Sequence, residues 1–293
     1  MRLTTFLQHG QPRLGLVHGS DVIDLAAAVA GTPADLRAAL AAGTDLAAAA
    51  AQAIASNAPR LPLASLHFAP LLPEPGKTIC LGLNYFDHAK EGGRTDKPEY
   101  PWFFYRGKSS LLGHGQPALR PLVSPKFDYE AELAVVIGST VPRHVRQADA
   151  LQYVFGYTCF NDMSVRDYQK RTPQWTIGKN FDATGGFGPV LVTADELAPG
   201  ATGLRIQSRL NGQVMQDAST TDMIFSVAET IALLADCMTL EPGDAIIMGT
   251  PAGVGQARTP PVWMQPGDVI EIEIESIGTL RNPVVAELVA KGT

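Results

Sequence analysis

Two carboxylates stand two residues apart in the stretch FDYEAELAVVIG (127–138), at Glu130 and Glu132. The stretch reads as a strand, because Leu133, Val135, Val136 and Ile137 are apolar and mostly β-branched. Residues i and i+2 of a strand share a face, which sets the two Cα atoms about 6–7 Å apart. Unit charges about 6 Å apart repel by roughly 3 kcal/mol at an effective dielectric of about 20. Two arrangements relieve that repulsion: both groups face water, or a divalent cation sits between them on oxygen ligands. A third acid, Asp162 in GYTCFNDMSVRD (156–167), lies where an apolar strand pattern gives way to a helical one. It reads either as a helix cap or as the third ligand of the same ion. Arg166 follows four residues later and Gln169 three after that. Arg166 either pairs with Asp162 along one helical face or meets a substrate carboxylate beside the ion.

Two further groups complete the chemical inventory. His88 and Glu91, three apart in GLNYFDHAKEGG (82–93), are adjacent if that segment is helical. A His held by a carboxylate is a general base, and the flanking Gly82, Gly92 and Gly93 suit a closing lid. Lys179, in the Gly-rich stretch WTIGKNFDATGGFGP, is either a surface cation or a partly buried stabiliser of an oxyanion. Other patterns fail. Gly107-Lys108-Ser109 lacks the phosphate-loop glycine five residues earlier, where Trp102 stands, and TGGFG (184–188) opens no convincing helix.

The elements that must carry these groups are mostly strands. RLTTFL, RLGLV and DVIDL mark a small N-terminal unit, residues 1–60, with an Ala-rich helical stretch after Thr32-Pro33 that Gly43 divides. A proline-rich segment, 61–77, reads as linker or wrapping chain. From residue 78 to 293 strand patterns dominate, with Asn211-Gly212 as a hairpin turn and Pro-Gly-Asp preceding a strand at both 242–244 and 266–268. Helices are expected near 146–154, 164–171 and, most clearly, 224–238. The fold class is therefore α+β and strand-rich, with a sandwich or roll-like core.

Composition narrows the function. Hydrophobic residues at 45% and charged residues at 18% support a large core and argue against disorder. A net charge of −6 argues against nucleic-acid or anionic-membrane partners. Cys80, Cys159 and Cys237 are too scattered for a disulfide framework, the N-terminus lacks a signal-peptide core, and the run LAAAAAQAIA (46–55) is too short for a bilayer. A cytoplasmic location is expected.

Taken in order, GLNYFDHAKE, DYEAELAVVIG, FNDMSVRDYQ, TIGKNFD and GDAIIMGTPAGVG resemble the fumarylacetoacetate hydrolase family over about residues 78–285. The resemblance implies a mixed β-sandwich or β-roll catalytic domain behind a small N-terminal α+β domain, in a homodimer. It implies Mg²⁺ or Mn²⁺ (Ca²⁺ as a substitute) on Glu130, Glu132 and Asp162, and His88 with Glu91 on a lid. It places Arg166, Gln169, Lys179 and Thr250 around a small 2-oxo acid substrate. Phe86 and Arg106 stand where many relatives carry Arg and Lys, so Arg106 is counted with the substrate-binding residues. The expected reaction is hydrolysis of the C–C bond of an acylpyruvate: His88 and Glu91 activate water, Lys179 stabilises the oxyanion, and pyruvate leaves as its enolate. The same enolate site serves a decarboxylase, isomerase or dehydratase, and the intact His88–Glu91 pair favours the hydrolase among them. A non-catalytic ligand-binding protein is the remote alternative.

Overall fold

The computed structural model describes residues 1–93 and 95–288. At its centre lies the strand Ala131–Ile137, every residue of which is buried. It pairs antiparallel with Val154–Asp162 on one side and with Ala245–Ile247 on the other. Its alternate side chains enter two different cores. Leu133, Val135 and Ile137 join Ile206, Ile270 and Ile272 of a five-stranded sheet, whereas Ala134 and Val136 pack towards the N-terminal helices. A strand covered on both faces reads as an unbroken apolar run, as this one does. Neither face is open to water, which removes one of the two ways of relieving the Glu130–Glu132 repulsion.

The expected single strand 127–138 is broken. Phe127–Asp128 pairs instead with Ser164–Val165. At the break, the Glu130 N–H donates to Asn161 Oδ1 at 3.0 Å and the Asp162 N–H donates to the Glu130 carbonyl at 3.0 Å. The break therefore ties the two acidic segments together.

The large sheet continues through Val190–Thr193 into the N-terminal strands Arg2–Gln8, Gln11–His18 and Asp21–Asp24. On the far side of Ala245–Ile247 it extends to Thr78–Gly82 and ends at Trp102–Tyr105. The Ala-rich stretch forms two helices, Leu36–Ala41 and Leu46–Ala55, with Gly43 at φ 63° between them. Their N-caps are Asp35 and Asp45, whose carboxylates accept from Ala38 N and Ala48 N, rather than the Thr32-Pro33 start expected. An Asp placed one residue before the turn satisfies an orphan N–H directly, and Thr32 is too far upstream to do so. Residues 61–77 wrap the sheet: Leu71 and Leu72 are buried, and Leu71 N–H donates to Phe187 O.

Other elements differ in length more than in kind. The 146–154 helix is a 3₁₀ segment, Gln147–Tyr153, and the 164–171 helix shrinks to Arg166–Gln169. The third, Val227–Cys237, is capped by Ser226. Asn211 and Gly212 take φ 51° and 80° between paired strands, as a two-residue hairpin with matching twist requires. Both Pro-Gly-Asp turns close alike: Asp244 and Asp268 each accept, through a side-chain oxygen, from the N–H three residues earlier.

Candidate active site

Two neighbouring strands, Ala131–Ile137 with the residue before it and Val154–Asp162 at its end, deliver the carboxylates to one point. Ligand oxygens of Glu130, Glu132 and Asp162 all lie within 4.8 Å of one another, and all three residues are buried. Asp162 ends the strand Val154–Asp162 and caps no helix, since Val165 precedes the helix without a side-chain cap. Arg166 does not pair with Asp162 either. Its Nε meets Asp128 Oδ2 at 2.8 Å and its Nη1 meets Glu130 Oε1 at 2.6 Å. Lys179 Nζ bridges Glu130 Oε2 at 2.7 Å and Asp162 Oδ2 at 2.6 Å. Arg106 closes the far side of Asp162 through Nε and donates to the Met163 carbonyl at 2.6 Å.

The charges do not cancel. Asp128, Glu130, Glu132 and Asp162 face Arg106, Arg166 and Lys179, four negative groups against three positive. Burial alone would raise the Glu130 carboxyl, but Lys179 and Arg166 outweigh it and hold the group well below the usual carboxylate range. Burial alone would lower the Lys179 ammonium, but Asp162 and Glu130 outweigh it and hold it above its usual value. Glu132 has no cation in direct contact among the described residues. Burial, then the charges of Asp162 and Glu130, push its carboxyl well above the usual range, and its bond from Gly249 N–H at 2.6 Å only partly offsets them. An all-oxygen cluster whose fourth carboxyl, Glu132, lacks a cationic partner fits a hard divalent cation such as Mg²⁺ or Mn²⁺.

A cavity of about 390 Å³ opens over this floor. Glu130, Glu132, Arg166, Gln169, Lys179 and Thr250 line it from below, and the helix Phe86–Glu91 brings His88 and Glu91 to its wall. His88 Nδ1 lies 3.2 Å from Glu91 Oε2, which leaves Nε2 as the ring nitrogen without a protein partner among the described residues. Arg106 is the exception among the expected substrate-binding residues. It is buried behind Asp162, is no part of the cavity wall, and cannot touch a substrate there. Its planar fork instead secures a carboxylate oxygen and a carbonyl at once.

Three positioning groups escaped the sequence reading. Asp128 is fully buried and accepts from Gly255 N–H at 2.7 Å, Gln256 N–H at 3.0 Å and Arg166. Its signal was present, since Asp128, Glu130 and Glu132 continue one alternation. Asn84 fixes the start of the His88 helix, donating to Met248 O at 2.7 Å and accepting from Phe225 N–H at 2.7 Å. Gly253 N–H donates to Glu91 Oε1 at 2.8 Å and fixes the other end. The loop 249–256 thus gives backbone N–H groups to Glu132, Glu91 and Asp128 in turn. Gly249 and Gly253 reach this geometry at φ 84° and 104°, where a side chain would be strained.

Comparison with known proteins gives these residues a family. The model for the fumarylacetoacetate (FAA) hydrolase C-terminal domain matches residues 77–285. The oxaloacetate tautomerase YisK of Bacillus subtilis (strain 168) is 45% identical over 216 residues, 73% of this chain and 71% of the relative. The human mitochondrial oxaloacetate tautomerase FAHD2A is 38% identical over 278 residues, 94% and 88%. Among solved structures, maleylpyruvate hydrolase from Sphingobium sp. SYK-6 in complex with manganese(II) and pyruvate superposes with TM-score 0.81 at 32% identity, over 98% of this chain and all of that one.

These findings correct the expected activity. YisK and FAHD2A are tautomerases, so cleavage of an acylpyruvate by water is not the reaction they point to. The intact His88–Glu91 pair misled because a base that can take a proton from water can equally take one from an enol. The assignment of Lys179 to a hydrolytic oxyanion falls with that reaction. No described helix is long and apolar enough to cross a membrane. With the family model covering most of its length and relatives of this identity along it, the chain belongs to the fumarylacetoacetate hydrolase family.

Proposed function

We propose that the chain is an isomerase that interconverts the enol and keto forms of oxaloacetate or a closely similar 2-oxo diacid, assisted by Mg²⁺ or Mn²⁺ on Glu130, Glu132 and Asp162. The observation that carries this reading is the His88–Glu91 pair, fixed at the cavity wall by Gly253 N–H, above a floor of buried carboxylates. The activity of the curated relatives supports the choice of a proton transfer over hydrolysis. The ion, when bound, supplies Lewis-acid polarisation of the 2-oxo oxygen and so favours enolate charge.

The remaining work belongs to side chains. Arg166 is locked by Asp128 and Glu130, yet its Nη2 is buried without a protein partner. A buried unpartnered donor is costly, and a substrate carboxylate relieves that cost. Gln169 Oε1 accepts from Arg166 Nη1 at 3.0 Å, which leaves its amide N–H groups available to a substrate in the cavity it lines. Thr250 Oγ accepts from Gln216 at 2.7 Å and keeps its own proton for the substrate. His88 Nε2 takes the enol O–H proton, Glu91 stabilises the imidazolium, and the same nitrogen returns the proton to C3. One O–H bond breaks and one C–H bond forms, with no water consumed.

The test follows freshly prepared enol-oxaloacetate by loss of its ultraviolet absorbance, with malate dehydrogenase capturing only the keto form. Metal-loaded protein should accelerate ketonisation well beyond buffer containing the same ion. A rate equal to that buffer overturns the reading.

A further inference from the structure

We infer that Lys170 is a specificity-determining residue of this site: it receives the distal carboxylate of the substrate and makes the enzyme selective for 2-oxo diacids over 2-oxo monoacids. The inference rests on the tautomerase reading and deepens it.

The helix Arg166–Gln169 and its C-cap Lys170 supply the argument. Positions i, i+3 and i+4 of a helix share a face, with neighbouring Cβ atoms about 5–6 Å apart. Arg166, Gln169 and Lys170 occupy those positions, and all three line the cavity. They form a graded row. Arg166 is 2% exposed at the floor and Gln169 is 8% exposed, whereas Lys170 is exposed at the mouth. The three C–C bonds of a four-carbon diacid, about 1.5 Å each, set its two carboxyl carbons about 4 Å apart when extended. A diacid whose 2-oxo end lies at Arg166 therefore carries its other carboxylate along this row, away from the floor and within reach of the long Lys170 side chain.

Charge singles out Lys170 within the row. Lys179 and Arg166 are both bound to carboxylates. Lys170 makes no ion pair and no side-chain hydrogen bond among the described residues, while its neighbour Arg171 stacks on Tyr168. The apolar part of the lining offers a carboxylate no positive charge. It is built of Leu81, Phe104 and Trp175, the last packed edge-on to Phe104 with centroids 5.9 Å apart and seated over Gly82, where a Cβ would collide with the indole. A carboxylate at the mouth gains a charge-assisted bond from Lys170 and none from the aromatic side.

Because Lys170 is exposed and unpartnered, Lys170→Met should fold normally. With Mn²⁺-loaded protein, kcat/KM for enol-oxaloacetate should fall roughly tenfold, mainly through KM, while that for the monoacid enol-phenylpyruvate stays within about twofold. Lys170→Arg should restore most of the loss. Equal losses on both substrates, or none on oxaloacetate, overturn the inference. A binding arm stands apart from turnover: calorimetry should show wild type preferring malate to lactate by roughly tenfold, and Lys170→Met showing little preference. No turnover by wild type defeats the tautomerase reading alone. Absence of the malate preference in wild type, or its persistence in the variant, defeats the role of Lys170.

Discussion

The floor of the cavity and the helix that faces it are built in opposite ways. On and just behind the floor, Asp128, Glu130, Asp162, Arg106, Arg166 and Lys179 are buried, and each is held by at least two partners. The helix Phe86–Glu91 is short, its His88 and Glu91 side chains are 13% and 25% exposed, and Asn84 and Gly253 fasten its two ends. A charge lattice fixed before substrate arrives stabilises developing charge without reorganising. A proton-transferring group instead needs access and some freedom to move. The comparison teaches that fold stability and reaction chemistry should separate by mutation: floor changes damage both, helix changes only the second.

The largest expected effect is on the floor. Asp162→Asn leaves Arg106 and Lys179 buried beside a neutral amide and removes one of the three proposed metal ligands. Breaking a buried pair from one side costs about 3–5 kcal/mol, so urea unfolding should show a loss of that order together with loss of turnover. An unchanged denaturation midpoint breaks the comparison. Next comes the helix. His88→Ala should lower kcat by about 10²–10⁴-fold, the range for a positioned acid–base group. Its stability and its Mn²⁺ affinity should stay close to wild type, with the unfolding free energy within about 0.5 kcal/mol.

How much of this was readable beforehand follows the same division. The carboxylates of the floor announced themselves because alternation along the sequence, Glu130 to Glu132, is a local signal. The strands, the Asn211-Gly212 hairpin and the repeated Pro-Gly-Asp turn were legible for the same reason, since turn chemistry resides in two or three adjacent residues. What holds the helix was not. Asn84 meets partners 141 and 164 residues away, and Gly253 reaches Glu91 across 162. No local periodicity encodes contacts of that separation. Arg166 shows the cost: its spacing suggested Asp162, but the fold set Asp128 and Glu130 closer. Arg106 was misplaced likewise, because being near the site in sequence pattern says nothing of which side of Asp162 a residue lies on.

Removing or adding metal gives an effect of intermediate size, again on the floor. An ion that binds only the native state stabilises it by about 2.7 kcal/mol at a hundred times its dissociation constant. Chelated protein should therefore melt lower than protein in saturating Mn²⁺, and His88→Ala should show the same increment. Acid should act on the floor as well. Lys179 and Arg166 hold Glu130 below its usual value of 4.5, so the native state binds fewer protons than the unfolded chain in that range. The stability contributed by Glu130 is present above pH 4.5 and is lost as pH falls through the depressed native value. Unfolding free energy measured against pH should decline below that point, and a flat profile there contradicts the pairing.

The smallest effect separates two jobs of one residue on the helix. Glu91 Oε2 contacts His88, and Oε1 accepts from Gly253 N–H. Glu91→Gln retains an oxygen for Gly253 but no negative charge for the imidazolium. A partly exposed pair is worth on the order of 1 kcal/mol, so kcat should fall roughly five- to tenfold with KM nearly unchanged. Glu91→Ala removes the tether too. Amide exchange within residues 86–91 should then quicken in Glu91→Ala and not in Glu91→Gln, while the strand Ala131–Ile137 stays equally protected in both. If both variants loosen the helix alike, the charge rather than the Gly253 contact holds it in place. If neither does, Asn84 alone anchors the helix, and the base rests on a single fixed end.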